Sequence, residues 1–294
     1  MTGQCQSYIQ RAGDSGGYEL VRHNVHRGLS WAARSSYFFA EEIVSVNLAL
    51  SETLQVASEF PIVFSLVGGE VVPTIRFSGG NCSNGHVGSD GAWLAHYLPA
   101  GLKAYPFSIG LVDEASNAGG IAKEGVCWRV NGVDSAFALL VASEALCDND
   151  AKDSRAFYAQ DRLSESVRKV AAFAKALSED MAKAKLIAKA LWDFGFLVPL
   201  DLDIGDEDDQ PYRVDERRVK ELPRMHAESL RNAGGLPLIY GHLVSMEHLT
   251  YPTPHSIRLK RQGDSLHDTS RKPERNSDDM IAFRRAVIND LRVQ

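Results

Sequence analysis

The chain lacks most of what the common catalytic and membrane-protein signatures require. Its four cysteines form no CxxC pair, which gives no support to a zinc ribbon or a thioredoxin-like redox site. The most apolar segment, Phe137 to Leu146, is too short to span a bilayer and contains Glu144. The first twenty residues hold no basic region followed by an apolar run, so we predict no signal peptide. These absences predict a cytoplasmic protein with reduced thiols and no membrane span.

A strong excess of charge of one sign is also missing. The 294 residues carry a net charge of −6, and 44% hydrophobic with 24% charged residues is ordinary for a soluble globular protein. We therefore expect no nucleic acid partner and no attraction of the whole chain to anionic membranes. From Arg258 to the end the balance reverses, with nine Lys and Arg against six Asp and Glu. This predicts a basic extension that acts as a solvated linker with a packing helix, or alternatively docks an acidic partner.

Motifs that hold a phosphate or a metal ion are incomplete. The glycine-rich segment Gly79 to Gly91 lacks the Lys-Ser/Thr pair of a P-loop and the spacing of a dinucleotide fingerprint. The six carboxylates from Asp201 to Asp209 miss the spacing of a calcium loop, because Gly205 comes one place early. The chain contains no HExxH and no GxSxG. We therefore predict no cofactor and no metal site.

Three residues are the candidates for catalysis: His23, His26 and Cys82. The two histidines are three positions apart, which on a helix would place them on one face. Cys82 has His86 and His96 nearby in sequence, and a thiol nucleophile needs a positioned histidine in an electropositive setting. Structural histidines and an unreactive thiol are the alternative interpretation.

Glycine and alternation indicate a strand-rich first half. Val44 to Glu52 alternates apolar and polar residues, which is typical of a half-covered strand. Ile62 to Gly80 predicts a hairpin that turns at Gly68-Gly69, where glycine adopts positive φ without penalty. Pro73 in the second strand predicts an edge position or a strand start.

After Asn131 the pattern becomes helical. The strongest periodic signal of the chain, Gln160 to Phe194, predicts a long amphipathic helix that Gly195 ends. The other predicted helical segments are Val133 to Leu146, Asp215 to Gly235 with a break at Pro223, the buried Leu236 to Leu249, and Ser277 to Val293. We predict an α+β fold with a strand-rich N-terminal half, mostly antiparallel, and a helical C-terminal half packed on it. The predicted boundaries are 1–251 for this domain and 252–294 for a basic linker and amphipathic C-terminal helix.

The segment from Ala92 to Gly110 sets two prolines among aromatic residues. The residue before a proline avoids the helical region, so Pro99 and Pro106 predict two fixed bends, followed by a strand from Phe107 to Val112. If the aromatic residues line a groove, the residues that contact a ligand are Trp93, Tyr97, Lys103 and Tyr105.

Together these stretches resemble the bacterial SapC family. The matching segments are VHRGL (25–29), YFFA (37–40), FPIVF (60–64), DGAW (90–93), YLPAGLKAYPFSI (97–109), YRVDERRVKEL (212–222) and GGLPLIYGHLVSMEHL (234–249). The chain departs from the family pattern at Lys103-Ala104, where members more often carry two arginines, and at Asn84-Gly85-His86, where they often carry Asn-Leu-Phe. The resemblance implies peptide transport, resistance to antimicrobial peptides or surface-layer export, and it brings no catalytic residues. An unrelated membrane permease shares the name, and a permease role does not carry over.

Three hypotheses about function follow. The first is an accessory or binding protein without catalytic activity that acts on a peptide or protein partner. The second is an enzyme that modifies a peptide or small molecule through His23, His26 or Cys82. The third is a structural module that forms a homo-oligomer through the C-terminal helix.

Overall fold

A computed structural model describes residues 9–11, 17–77, 84–112, 125–131, 136–148, 153–201, 210–221 and 224–250. The strands are β1 Ile9–Arg11, β2 Tyr18–Leu20, β3 Leu29–Ala32, β4 Ile43–Asn47, β5 Ile62–Val67, β6 Glu70–Arg76, β7 Phe107–Val112, β8 Cys127–Arg129, β9 Ala136–Ala142, β10 Leu146–Asp148, β11 Ser154–Ala156, β12 Tyr158–Ala159, β13 Arg162–Leu163, β14 Leu197–Pro199 and β15 Tyr212–Val214. The α-helices are α1 His23–His26, α2 Thr53–Ala57, α3 Ala100–Lys103, α4 Glu165–Asp193, α5 Glu216–Lys220, α6 Arg224–Asn232, α7 Gly235–Ser245 and α8 Glu247–Thr250. Short 3-10 helices cover Phe38–Ala40, Leu50–Glu52 and Ser143–Ala145.

The strands pair antiparallel in two larger and two smaller sheets. The first sheet has the order β1-β4-β6-β5-β15-β14, and the second has the order β2-β9-β7 with β8 on β9. Three strands, β10-β3-β11, and the hairpin β12-β13 form the smaller sheets. The predicted α+β class is confirmed: strands dominate the first half, and helices dominate the second.

The predicted hairpin is confirmed, but the position of its proline is not. β5 and β6 pair from Ile62–Ile75 to Val67–Glu70, and both glycines of the turn have positive φ. Pro73 is the fourth of the seven residues of β6, which is an interior strand, so both the expected edge position and the expected strand start are wrong. Its carbonyl accepts the amide of Leu48, at the point where the ladder between β4 and β6 ends at Asn47. Because the nitrogen of a strand residue faces the same side as its carbonyl, the missing N–H of Pro73 faces β4 where that ladder ends, and the ladder between β5 and β6 loses no bond.

The helix predicted from Val133 to Leu146 is wrong. The chain instead forms β9, whose seven residues are all buried, and then a 3-10 turn and β10. β9 pairs with β7 along one edge and with β8 and β2 along the other, so it is an interior strand. A strand covered on both faces is a continuous apolar run, and periodicity cannot distinguish such a run from a buried helix.

The long helix α4 joins two hydrophobic cores. Ser164 caps its first turn by accepting the amide of Val167, and the predicted apolar positions are largely buried. Its N-terminal half, through Val167 and Leu177, packs in a core with the second sheet. Its C-terminal half, through Ile187 and Leu191, packs in a core with the first sheet, α2 and α7. The helix therefore fixes the two sheets relative to each other.

Several predicted segments lie outside the described residues. They are Cys82, most of the acidic segment from Asp201 to Asp209, and the extension 252–294. In the part of the chain that the structure describes, no helix is both long enough and apolar enough to cross a membrane.

Candidate binding corner

The segment with the two prolines lies where the chain passes from the first core to the second. Leu98 and Leu102 pack on the first core, whereas Ala100 and Phe107 pack on the second. Around this crossing lie six aromatic residues and two cations, which we call the aromatic corner. Its members are Arg34, Tyr37, Phe38, Phe39, Trp93, Tyr97, Lys103 and Tyr105.

Four rings of the corner form a continuous row. Tyr105 stacks on Phe39 with 3.7 Å between ring centroids, and Phe39 lies 6.2 Å from Tyr37. Tyr37 lies 5.8 Å from Trp93, whose indole also packs on the buried ring of Phe60. The row thus begins half-exposed at Tyr105 and ends against the first core.

Both cations of the corner lie over tyrosine rings. The guanidinium of Arg34 is 4.5 Å from the ring centroid of Tyr37, and it donates a hydrogen bond of 3.3 Å to the carbonyl of Leu102. The ammonium of Lys103 is 4.5 Å from the ring centroid of Tyr97. A cation over an aromatic face contributes about 0.5–1 kcal/mol at an exposed site. Because Arg34 binds the residue that precedes Lys103, the two charges lie on the same part of the surface.

A buried carboxylate holds the corner from behind. Glu52 is 4% exposed and accepts three hydrogen bonds. The donors are the hydroxyl of Tyr97 at 2.9 Å, the amide of Ala100 at 2.8 Å and the amide of Ala49 at 3.1 Å. The last of these is the bond that a glutamate at the third helical position makes to the start of its own helix. The first two connect the helix to the corner.

Burial and hydrogen bonding act on Glu52 in opposite directions. Burial raises its pKa above the ordinary value, although the amides of Ala100 and Ala49, the Tyr97 hydroxyl and the charge of Lys103 all oppose this rise. Burial and the adjoining Glu52 also raise the pKa of Tyr97. A phenol whose pKa is raised keeps its proton at neutral pH, so Tyr97 acts as a hydrogen-bond donor to the carboxylate.

A second carboxylate holds the same loop from the other end of α2. Glu59 accepts the amide of Tyr97 at 3.0 Å and the amide of His96 at 3.2 Å, and it also lies 2.9 Å from the ring of His96. The indole of Trp93 closes the loop with a bond of 2.9 Å to the carbonyl of Tyr97. The loop therefore has a fixed path without regular secondary structure.

The side of the corner that carries Tyr37 and Phe38 needs a glycine opposite it. Gly91 has a φ of +77° and its carbonyl accepts the amide of Tyr37 at 2.7 Å. A Cβ at this position would lie 2.8 Å from side-chain atoms of both Phe38 and Ser36. Only glycine combines this backbone conformation with so close an approach.

The structure places the two candidate histidines with different partners. His26 is fully buried against Phe157, and its Nε2 lies 3.8 Å from Glu19. Burial lowers the pKa of His26. His23 packs edge-on against Tyr158, and its Nε2 lies 3.7 Å from Asp161.

Neither histidine exposes its Nε2 atom, although 41% of the His23 side chain is accessible. Both separations from a carboxylate are too long for a hydrogen bond, and the Nε2 atom of each ring is buried. Cys82 lies outside the described residues, and within those residues no group of three His, Cys, Asp or Glu side chains could hold a metal ion. A role in catalysis for His23, His26 or Cys82 stays a prediction.

A small cavity lies beneath the corner. Gly101 and Ala104 line it from the corner, and Asn47, Ser108 and Met181 are among the residues that line it from the core. Its volume of about 10 Å³ is that of roughly one water molecule. It is therefore far too small for an organic ligand.

A family model described as SapC matches residues 21–251, which include the whole corner. The chain belongs to the SapC family. No curated protein and no solved structure matches it.

In this SapC-family chain, sequence reasoning identified only part of the corner. Trp93, Tyr97, Lys103 and Tyr105 lie around the same crossing, and their contact with a ligand stays a prediction. Phe39 and Arg34 were missed as contacts, although the run of aromatic residues from Tyr37 to Phe39 is visible in the sequence. Glu52 and Glu59 had no distinguishing signal, because a glutamate in a short helical segment is ordinarily exposed.

Proposed function

We propose that this SapC-family chain is an accessory or binding protein that takes a peptide or protein partner at the aromatic corner. The observation that carries the proposal is the row of half-exposed rings, together with Arg34 over Tyr37 in that row and Lys103 over Tyr97. Tyrosine, tryptophan and arginine are the residues most enriched at binding hot spots. Phe38 adds an exposed apolar ring, since 48% of it is accessible.

The size of the partner follows from the shape of the corner. Sites for small molecules are concave and enclose about 300–1,000 Å³, whereas the cavity beneath the corner has the volume of one water. The rings and cations of the corner instead lie along the surface. Such a surface suits a chain segment that contacts several rings at once. The process we propose is the handling of peptides in the cytoplasm, in transport or in resistance to antimicrobial peptides.

The test is binding of the full chain to an array of short random peptides, with wild type compared with Lys103→Gln. We expect wild type to select a subset of the peptides and Lys103→Gln to bind them about tenfold more weakly, as for the loss of a hot-spot contact. Lys169→Gln is the matched control, because Lys169 is an exposed lysine that pairs with Glu165 on α4. Equal binding by both variants, or no peptide selected by wild type, would overturn the proposal.

A further inference from the structure

The environment of Glu52 is made of donors. Two of the three are backbone amides, which cannot accept a hydrogen bond, and the third is the hydroxyl of Tyr97. A protonated carboxyl group brings a hydrogen of its own into this set. Tyr97 is the only one of these three partners that can turn from donor to acceptor. Protonation of Glu52 therefore acts first on the bond to Tyr97.

The charged groups around Glu52 come from each element packed against it. Lys103 of the corner lies near the Glu52 carboxylate. Glu59 comes just after α2, the helix that follows Glu52. Asp180 of α4 binds the amide of the adjoining Ser51 at 2.8 Å. On α7, burial lowers the pKa of His242 to about 4, so this histidine is neutral at physiological pH. Lys103 is thus the one group among these that favours the ionised carboxylate by its charge.

We infer that Glu52 is the positioning residue of the aromatic corner, and that protonation of Glu52 weakens its hold on Tyr97 and changes the shape of the corner. The inference rests on the proposed function, since it concerns control of the same binding surface. In the ionised state, charge-assisted bonds hold Tyr97 and Ala100. In the protonated state these bonds lose their charge, and bonds without charge are about half as strong.

The direction of the pH dependence follows from burial. Because burial raises the pKa of Glu52, its protonation is complete at a higher pH than that of an exposed glutamate. The same shift means that ionisation of Glu52 costs stability: the stability that the neutral acid contributes is present below the unfolded pKa and is lost as the pH rises through the folded pKa. A carboxylate whose ionisation weakens the fold but positions a surface is typical of functional sites.

Nuclear magnetic resonance on the full chain tests this without any partner. Carbon-13 labels on the glutamate carboxyl groups report the titration of Glu52, and ring signals of Tyr97 report the corner. We expect the signals of both residues to shift with one midpoint, above that of exposed glutamates. In Glu52→Gln the Tyr97 transition disappears, and the amide of Ala100 exchanges with solvent about tenfold faster, as for the loss of one hydrogen bond. Independent midpoints, or a Tyr97 transition that survives in Glu52→Gln, would overturn the inference.

Two further variants keep the test decisive. Glu70→Gln changes an exposed carboxylate that pairs with Lys185, and it should leave the Tyr97 transition unchanged. If Glu52→Gln fails to fold, Tyr97→Phe replaces it: the hydroxyl of Tyr97 opposes the rise of the Glu52 pKa, so without it the titration of Glu52 should move to higher pH, and an unchanged midpoint would contradict the inference. Coupled titration in a chain that selects no peptide would overturn the proposed function alone. Peptide selection with uncoupled titration would overturn this inference alone.

Discussion

The indole nitrogen of Trp93 donates a hydrogen bond of 2.9 Å to the carbonyl of Tyr97, four residues further along the chain. This bond closes the loop on which Tyr97 is presented. The indole also packs on Phe60, Phe77 and His86. Trp93 therefore supports the corner from its inner end, and Tyr97, Lys103 and Tyr105 form the accessible part.

This position of Trp93 predicts a graded effect on stability. We expect Trp93→Phe to lower the free energy of unfolding by about 1–2 kcal/mol, since it loses one hydrogen bond and part of the ring. Trp93→Ala should cost about 3–5 kcal/mol, because it leaves a cavity among three rings. Urea denaturation measures both. Trp192→Phe, at a half-exposed position, is the control, and a cost as large as that of Trp93→Phe would contradict this account.

The contact between α2 and α7 places Glu52 and Glu59, and it depends on a glycine. A Cβ at Gly241 would lie 2.5 Å from Cγ2 of Thr53. We expect Gly241→Ala to destabilise the fold by about 1–3 kcal/mol through overpacking. Adding Thr53→Ser removes the clashing methyl group and keeps the hydroxyl that binds the carbonyl of Leu50, so it should restore much of the loss.

The control for Gly241→Ala is another glycine. A Cβ at Gly28 meets no atom within 4 Å, so Gly28→Ala should change the free energy of unfolding by less than about 0.5 kcal/mol. Urea denaturation of the single variants and of the double variant gives the coupling between Gly241 and Thr53. Strictly additive effects would contradict the predicted clash.

His242 makes the stability of the fold depend on pH. Its Nδ1 donates to the carbonyl of Ile62 at 2.7 Å, and its Nε2 accepts the amide of Val214 at 3.0 Å, so only the neutral ring fits. Burial lowers its pKa from 6.5 to about 4. Because the unfolded chain binds this proton more readily, the contribution of His242 is complete above pH 6.5 and is lost as the pH falls towards 4.

We expect this contribution to be about 3 kcal/mol between the two pH limits. The measurement is urea denaturation of wild type and His242→Gln at several pH values, since the difference between them isolates His242 from other titrating groups. The free energy of unfolding should change less with pH in His242→Gln than in wild type. His96→Gln, which changes a side chain that is 99% exposed, should keep the wild-type slope. Equal slopes for wild type and His242→Gln would show that the buried ring takes up a proton without cost.

The sequence predicts well those elements whose signal is local. The face of α4 from Val167 to Leu191 has a regular period, the turn at Gly68-Gly69 needs positive φ, and β7 follows directly from Pro106. β9 was missed because burial on both faces removes its alternation. Whether a strand is buried is decided by the elements packed on its faces, such as α4, which are distant in sequence.

The same distinction applies to the corner. Trp93, Tyr97, Lys103 and Tyr105 are close in sequence, so their spacing was enough to group them. Glu52 contacts Tyr97 and Ala100 across more than forty residues, and its burial is set by helices on either side. No local pattern distinguishes such a glutamate from an exposed one, and its role emerges only from the fold.

Removal of the basic extension tests the domain boundary and the oligomer hypothesis together. We expect a chain that ends at residue 251 to keep its fold, with a melting temperature close to that of the full chain. If the C-terminal helix forms a homo-oligomer, the particle mass from light scattering should correspond to fewer subunits for the shortened chain than for the full chain. An unchanged oligomeric state would remove that hypothesis, and loss of folding would show that the domain extends beyond residue 251.

The most direct test of partner binding replaces Phe38 with the photo-crosslinker benzoylphenylalanine. The full chain carries this residue, and crosslinking is done in the cells that produce the chain. The control position is Phe173 on α4, which is also an exposed phenylalanine. Our account predicts that the Phe38 position captures a peptide or protein that the Phe173 position does not, and that Lys103→Gln reduces this capture about tenfold. Three results would contradict a binding role for the aromatic corner. They are no capture from the Phe38 position, the same capture from the Phe38 and Phe173 positions, and capture from the Phe38 position that Lys103→Gln leaves unchanged.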